Sequence, residues 1–347
     1  MRRLKHSGQF YQMDRILADK QKAMDRVAVL NGKASDWGDV GSGVPQGSVL
    51  GPLAFLIYIN DIDDKAGLIT ILNKFADDTK LGNVVNTAQE IENLQKCLNE
   101  LVMWANVWGM SFNVKKCKVM HVGRKNQSAD YYMDGTKLEK TSRERDIGVL
   151  VQSNLRPSAQ CAEAARRANA VLGQITRSFH FRDRHVYIKL YKQFVLPHME
   201  FASPAWNPWT EADKDVLEKV QKRAIRMVSG LRATDYKERL KELGMLTLEK
   251  RRLESDLIQT FKIMHKVDNV NPSTWFQSVG LNPVQRTRAT DDPMNLVQSR
   301  ANTDIRKYFF SQRVIYHWNS LPSELKRSRT VNVFKTNLHK LLLGQAD

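Results

Sequence analysis

Two short stretches decide the reading of this chain. They are Ser42-Gly43-Val44-Pro45-Gln46-Gly47-Ser48 and, about thirty residues on, Phe75-Ala76-Asp77-Asp78-Thr79. Pro45-Gln46-Gly47 reads as a turn. Gly43 and Gly47 remove side chains where a backbone must come close to something, and Gln46 offers both a donor and an acceptor. Two readings of the loop stay open: contact with a template base or incoming nucleotide, or a plain turn before a buried helix. Asp77 and Asp78 place two carboxylates at one rim of a tight turn. Paired carboxylates suit Mg²⁺, and Mg²⁺ suits phosphoryl transfer. An adjacent pair alone says little, since Asp63-Asp64 is another and reads as a solvated helix end. The Asp77-Asp78 pair is set apart by a buried strand in front and the Pro-Gln-Gly loop upstream.

Working outward, Val27–Leu30 reads as a short strand with Asn31-Gly32 as the turn after it. Residues 38–47 hold four glycines and one proline and form a loop. Ser48 can cap the following helix, and Pro52 is tolerated in its first turn. From Val49 to Ile59 that helix is apolar nearly all round, which predicts burial beneath a sheet. Ile69–Leu72 and Lys74–Ala76 read as one strand entering the Asp77-Asp78 turn, with 79–85 returning. Thr87–Trp108 is helical, with Ile91, Leu94, Leu98, Leu101 and Trp104 on one stripe, and Gly109 stops it. Lys118–Val122 and Arg145–Leu150 read as strands.

After Pro157 the pattern is almost wholly helical. Segments 158–178, 184–196, 212–230, 234–243 and 247–266 show period-3.6 apolar positions. Residues 268–303, rich in Asn, Pro, Ser, Thr and Gln, read as a linker or long loop. Helices over 304–319 and 331–343 close the chain. On 212–230, Val216, Leu217, Val220, Ala224, Met227 and Val228 can face a core, while Lys219, Lys222, Arg223 and Arg226 crowd the other side. Those four cations read as nucleic-acid backbone contacts, against the plainer reading of a solvated helix face. Trp206-Asn207-Pro208-Trp209 reads as packing where helices meet, ahead of base stacking, and Trp318 more so.

The chain has 347 residues and a net charge of +17, with +2 in residues 1–120 and +15 in the remainder. That asymmetry points to a polyanion partner ahead of a merely soluble basic surface. Cys97, Cys117 and Cys161 are odd in number and lack any Cys-x-x-Cys, which disfavours a zinc knuckle or disulfide framework and fits a reducing compartment. No apolar run approaches the roughly 18 residues of a membrane span, and no apolar segment follows the basic start, so a secretory signal is not expected. The histidines have neither metal spacing nor a paired Ser or Cys motif.

The motifs resemble those of reverse transcriptases from LINE-type (non-LTR, jockey-like) retrotransposons. The run from Ser42 to Pro52 is similar to that family's template-gripping motif, and Phe75–Thr79 to its metal-binding hairpin. Phe112-Asn113-Val114-Lys115-Lys116 resembles the motif that supplies a lysine near the incoming triphosphate, with Lys116 the best match. Ile147-Gly148-Val149 resembles the primer-grip strand. Leu217–Val228, Phe309–Arg313 and Trp318–Pro322 resemble downstream segments, which indicate lineage more than chemistry. The match runs from about Leu4 to Leu343.

The resemblance implies an α/β, partial reverse-transcriptase palm over 1–150, with template loop, Asp-Asp hairpin and primer-grip strand. A mostly α-helical, thumb-like basic region over 151–267, the linker 268–303 and a small helical tail over 304–347 follow. It implies RNA-directed DNA synthesis with an RNA template, a DNA primer and deoxynucleoside triphosphates. Asp77 and Asp78 would bind Mg²⁺ (or Mn²⁺). Gly43, Pro45, Gln46, Gly47, Phe75, Ala76 and Lys116 would contact template or nucleotide. The family also carries an upstream strand with a first metal-binding aspartate. Asp14, Asp19 and Asp25 are the only acids before Asp36, and none sits in such a strand. An N-terminally truncated enzyme with impaired polymerase activity is therefore expected, and its rival is a non-catalytic basic nucleic-acid-binding remnant. Nuclear or cytoplasmic residence follows from the implied substrate.

Overall fold

The computed structural model describes residues 24–26, 29–30, 33–34, 37–39, 50–62, 71–123, 125–180, 183–231, 235–279 and 292–344. The template loop, with Gly43, Pro45, Gln46 and Gly47, lies outside these residues, as do Asp63-Asp64, Asn31-Gly32 and the acids Asp14 and Asp19. The chain divides into two compact units, Met1–Cys117 with Gln127–Leu138, and Lys118–Asn126 with Glu139–Asp347.

In the first unit every described sheet is two-stranded. Strand β1 (Met24–Arg26) pairs antiparallel with β4 (Trp37–Asp39), and β2 (Val29–Leu30) with β3 (Lys33–Ala34). Helix α1 spans Leu50–Tyr58. It was expected to be buried all round, yet Leu53 is 55% and Leu56 53% exposed. Ile59 and Ile62, just past its end, are buried in a core, and of the helix itself Phe55 packs against that core while half-buried. Strands β5 (Ile71–Phe75) and β6 (Asp78–Gly82) form a hairpin. Helix α2 (Ala88–Val107) opens with a capping box, in which Thr87 accepts from Glu90 N and the Glu90 carboxylate accepts from Thr87 N. Such a box satisfies two otherwise orphaned donors. Gly109, at φ +65°, closes the helix. Leu98, Leu101 and Trp104 of the predicted stripe are buried. Gln95 of α2 bonds both the N–H and the C=O of Tyr132, tying down the hairpin β8 (Tyr132–Met133) and β9 (Thr136–Lys137).

In the second unit β7 (Lys118–Met120) pairs parallel with β10 (Glu139–Thr141). Arg145–Leu150, read as one strand, is instead the turn of a hairpin. Strand β11 (Arg143–Asp146) pairs antiparallel with β12 (Val149–Gln152). The linking residues Ile147 and Gly148 have φ +44° and +83°, the two positive dihedrals of a type I′ connection. A Cβ on Gly148 would lie 3.0 Å from the Phe201 ring. The side chains of Gln160 and Gln152 bond Leu150 N and Ala159 N, joining the hairpin to α3 (Ser158–Ser178).

The rest is helical. It comprises α4 (Arg184–Leu190), a π-helical turn Tyr191–Val195, α5 (Leu196–Glu200), α6 (Ser203–Trp206), α7 (Glu211–Arg226), α8 (Tyr236–Glu242) and α9 (Leu248–Met264). There follow α10 (Pro272–Trp275), α11 (Asp304–Lys307), α12 (Phe310–Asn319), α13 (Ser323–Lys326) and α14 (Val331–Gly344). One core joins Cys161, Ala164, Ala168 and Leu172 of α3 to Leu217, Val220 and Ala224 of α7. The small residues on α3 and α7 permit close approach of the two backbones. A second core stacks Phe261 of α9 on Phe334 of α14 beside Trp318 of α12. Phe276, Val279 and Leu296, in the stretch read as a linker, are buried, and Ser278 bridges Leu296. No helix among the described residues is long and apolar enough to cross a membrane.

Candidate functional site

The carboxylate pair sits on the β5–β6 hairpin, one residue displaced from the expected turn. Phe75 pairs with Asp78, so the connection is Ala76-Asp77 and Asp78 opens the returning strand. Ala76 takes φ +52°, a left-handed conformation that costs a non-glycine residue free energy. The strand in front is not buried, because this sheet has no third strand among the described residues. Phe75 is 59% exposed, and Ala76, Asp77 and Asp78 are all exposed.

Two anchors position the hairpin. Lys74 donates to the carbonyl oxygens of Ile59 and Asn60, at 3.1 and 3.2 Å. This is the usual service of a lysine to carbonyls left unpaired past a helix C-terminus. On the returning strand, Leu81 packs on the cluster of Ile59, Ile62, Leu101, Trp104 and Ala105. Trp104 donates its indole N–H to Asp61 Oδ1 at 3.0 Å. Phe112 packs on the same cluster, just before the 3₁₀ turn Val114–Lys116 that carries the exposed Lys116. One small core thus receives both the hairpin of Asp77 and Asp78 and the segment of Lys116.

The basic helix is α7. Leu217, Val220, Gln221, Ala224 and Ile225 are buried, and Val228 beyond its end is too. Met227 is half-buried. Val216, expected in the core, is 37% exposed. The four cations separate into two stripes four residues apart, Lys219 with Arg223 and Lys222 with Arg226. Lys219, Arg223 and Arg226 are exposed, and Arg223 donates to Asn169 Oδ1 at 3.3 Å. Lys222 Nζ lies 5.4 Å from the centre of the Tyr236 ring. With Ile225, Arg226, Asp235, Tyr236 and Arg239 it lines a cavity of about 570 Å³.

Tyr236 and Arg239, on α8, escaped the sequence reading. Their proximity to α7 is a tertiary fact with no local periodicity to announce it. Behind the cavity the Tyr236 hydroxyl donates to Glu218, and Gln221 Nε2 donates to the Tyr236 oxygen at 2.9 Å. Burial pushes the Tyr236 phenol well above its ordinary range, and the Glu218 carboxylate beside it acts in the same direction. The tryptophans pack rather than present faces. Trp206 donates to Phe201 O at 2.8 Å, Trp209 stacks on Tyr308, and Trp318 donates to Met294 O at 2.8 Å.

The family profile described as "Reverse transcriptase (RNA-dependent DNA polymerase)" matches residues 3–182. Among curated proteins, the chain is 22% identical over 200 residues to "Probable RNA-directed DNA polymerase from transposon X-element" of Drosophila melanogaster. That match covers 55% of this chain and 22% of the relative. It is 22% identical over 230 residues to "RNA-directed DNA polymerase from mobile element jockey" of the same species, covering 61% of this chain and 25% of the relative. Its identity to the jockey protein of Drosophila funebris is 24% over 200 residues, or 54% of this chain and 22% of the relative. The chain therefore spans about a quarter of the length of the curated relatives it matches. No solved structure matches it.

Proposed function

The chain belongs to the reverse transcriptase family, of the jockey-like, non-LTR kind, and from that premise we propose that it carries part of the machinery of RNA-directed DNA synthesis. The observation that supports this most is the shared anchorage of the Asp77-Asp78 turn and the Lys116 segment on the Trp104 cluster. Asp77 and Asp78 fit a divalent cation of the Mg²⁺ or Mn²⁺ type. Both carboxylates are exposed at a turn, and Mg²⁺ is bound through one or two carboxylates together with waters and substrate phosphates. Such ions, when bound, supply activation of a primer hydroxyl and neutralisation of a leaving pyrophosphate.

The other roles belong to the chain's own side chains. Lys116 would meet the triphosphate of an incoming deoxynucleotide as a point charge. Phe75 and Ala76 would border the nucleotide. Gly43, Pro45, Gln46 and Gly47 would contact template or nucleotide, and Lys219, Lys222, Arg223 and Arg226 the nucleic-acid backbone. The first 150 residues would be palm-derived, 151–267 thumb-like, and 304–347 a helical tail. Residence would be nuclear or cytoplasmic, where template RNA occurs.

Among the described residues no group of three histidines, cysteines or acids could hold a metal ion. Synthesis by this chain alone is expected to be weak, because Asp77 and Asp78 offer two carboxylates where two ions must be held. Retention of binding without synthesis is the second reading, favoured by the basic cavity on α7. Primer extension on an RNA template with Mg²⁺, beside Asp77→Asn, separates the two. Extension that disappears in Asp77→Asn supports catalysis by the pair. No extension, with salt-sensitive binding of the same duplex retained, supports the binding reading. Extension that survives Asp77→Asn rejects the assigned role of Asp77.

A further inference from the structure

The two anchors of the β5–β6 hairpin stand at different heights on its ladder, which runs from Ile71↔Gly82 to Phe75↔Asp78. Leu81, opposite Leu72, lies three rungs below the closing pair, and Lys74, opposite Thr79, lies one rung below it. Held by Leu81 alone, the turn would overhang its anchor by about 10 Å at roughly 3.4 Å per residue. A two-stranded hairpin is marginally stable by itself, so such an overhang would leave the turn poorly placed. The acceptors of Lys74 are themselves pinned. Ile59 and Ile62 are 8% and 2% exposed, and Asp61 between them accepts from the Trp104 indole at 3.0 Å. Lys74 meets this segment with one ammonium, at 3.1 Å from Ile59 O and 3.2 Å from Asn60 O. A cation at a helix C-terminus is ordinarily supplied by the last turn of that helix, and α1 has no basic residue there. The hairpin supplies it instead, so one side chain is both helix cap and hairpin anchor. Capping alone asks for a cation past Tyr58. It does not ask for one on the rung next to the two carboxylates.

We infer that Lys74 is a positioning residue for the Asp77-Asp78 pair. It ties the turn to the pinned end of α1, the helix that begins at Leu50 within the Ser42–Pro52 run. The inference rests on the metal-binding reading of the pair above and deepens it. Its consequence is local. Loss of the ammonium frees the rungs next to the turn, while Leu81 keeps the lower part of the hairpin on the Trp104 cluster.

The test is Mn²⁺ binding to the full chain, followed by water-proton relaxation, with the Asp77→Asn/Asp78→Asn variant setting the background. Removing a group that orients metal ligands costs about 10–100-fold in affinity. Lys74→Met is therefore expected to weaken the pair-dependent binding by about tenfold. Lys74→Arg keeps the charge and the donors, and is expected to keep the binding. The sign separates positioning from plain electrostatics, because removing a nearby positive charge alone strengthens the hold of two carboxylates on a dication. Unchanged or tighter binding in Lys74→Met overturns the inference and leaves the metal reading standing. A wild-type chain that binds no more Mn²⁺ than the double variant overturns both. Hydrogen exchange read by mass spectrometry gives the structural readout. Lys74→Met is expected to speed exchange in β5–β6 and to leave α2 as in the wild type. Acceleration of α2 as well, including through loss of the fold, assigns Lys74 to the stability of the whole cluster and overturns its role in placing the turn.

Discussion

Arg313 offers the sharpest test of how the second unit is held together. Its guanidinium grips the Asp256 carboxylate with two bonds, Nε to Oδ2 and Nη2 to Oδ1, each 2.8 Å. It also donates to Pro204 O at 2.8 Å and Tyr308 O at 2.9 Å. The Asp256 side chain is 3% exposed, and it also accepts from Asn207 Nδ2 at 3.0 Å. Arg313→Met leaves a buried carboxylate with that one bond, together with two stranded carbonyls. Breaking a buried pair from one side costs about 3–5 kcal/mol. In a unit of this size each kcal/mol moves the melting temperature by about 2–4 °C, so a fall of roughly 10 °C is expected. Thermal and urea unfolding followed by circular dichroism measures it. The double variant Asp256→Leu/Arg313→Met removes both charges and is expected to lose less than Arg313→Met alone. A loss under about 1 kcal/mol for Arg313→Met, or a double variant that simply adds two single losses, would refute the reasoning.

Four further outcomes are expected. Ile147→Asn should stabilise the β11–β12 hairpin by about 0.5–1 kcal/mol in urea unfolding, because Asn tolerates the left-handed conformation that Ile adopts at φ +44°. Thr87→Ala should cost about 1 kcal/mol through the lost cap, read by the same method. Burial acts to raise the Asp292 carboxyl, but bonds from Met294 N, Ser323 and Lys326 outweigh it and hold it down to about 2. A depressed folded value stabilises above the unfolded value near 3.9, so unfolding titrations should show that contribution disappearing from about pH 4 to 2, and Asp292→Asn should flatten this window. Amides of β5–β6 should exchange with solvent faster than those of α7, since a two-stranded exposed hairpin opens more easily than a packed helix; equal protection by mass spectrometry would count against that.

What the sequence disclosed follows from how local each signal is. Helix α2 was legible because its apolar stripe and the stop at Gly109 are both local signals, whereas the Thr87–Glu90 box emerged only in the structure. Helix α1 was legible as a helix but not in its burial. All-round apolarity states what could be covered, and exposure of Leu53 and Leu56 depends on what covers them. The β11–β12 turn was hidden by Ile147, a β-branched residue that argues for strand. Gly148 was the signal for a turn, and the positive dihedral at Ile147 overrides its propensity. The one-residue shift at Asp77 has the same origin, a left-handed Ala76 that no composition rule announces. On α7 the cationic face was plain, but only α8 separates Lys222 and Arg226 from Lys219 and Arg223. Arg313 lay in a segment read as lineage rather than chemistry. Its buried pair with Asp256 gives that segment a structural role.

The two candidate sites are also held in different ways, and this bears on which activity is the more robust. The Asp77-Asp78 turn hangs on Lys74 and Leu81 at the edge of a small cluster, with Ile71 and Phe75 about half exposed. Metal-dependent transfer demands positioning to a fraction of an ångström by side chains whose rotamers are locked. Nothing among the described contacts locks those two carboxylates. The α7–α8 cavity is the reverse case. Its aromatic wall is fixed by buried bonds through Gln221 and Glu218, while long-range attraction between cations and phosphates tolerates looser geometry. Physical demand and structural support therefore match at the basic cavity and mismatch at the carboxylate turn. On the reading proposed above, nucleic-acid binding would therefore ask less of this chain than synthesis, which would require a further constraint on the hairpin.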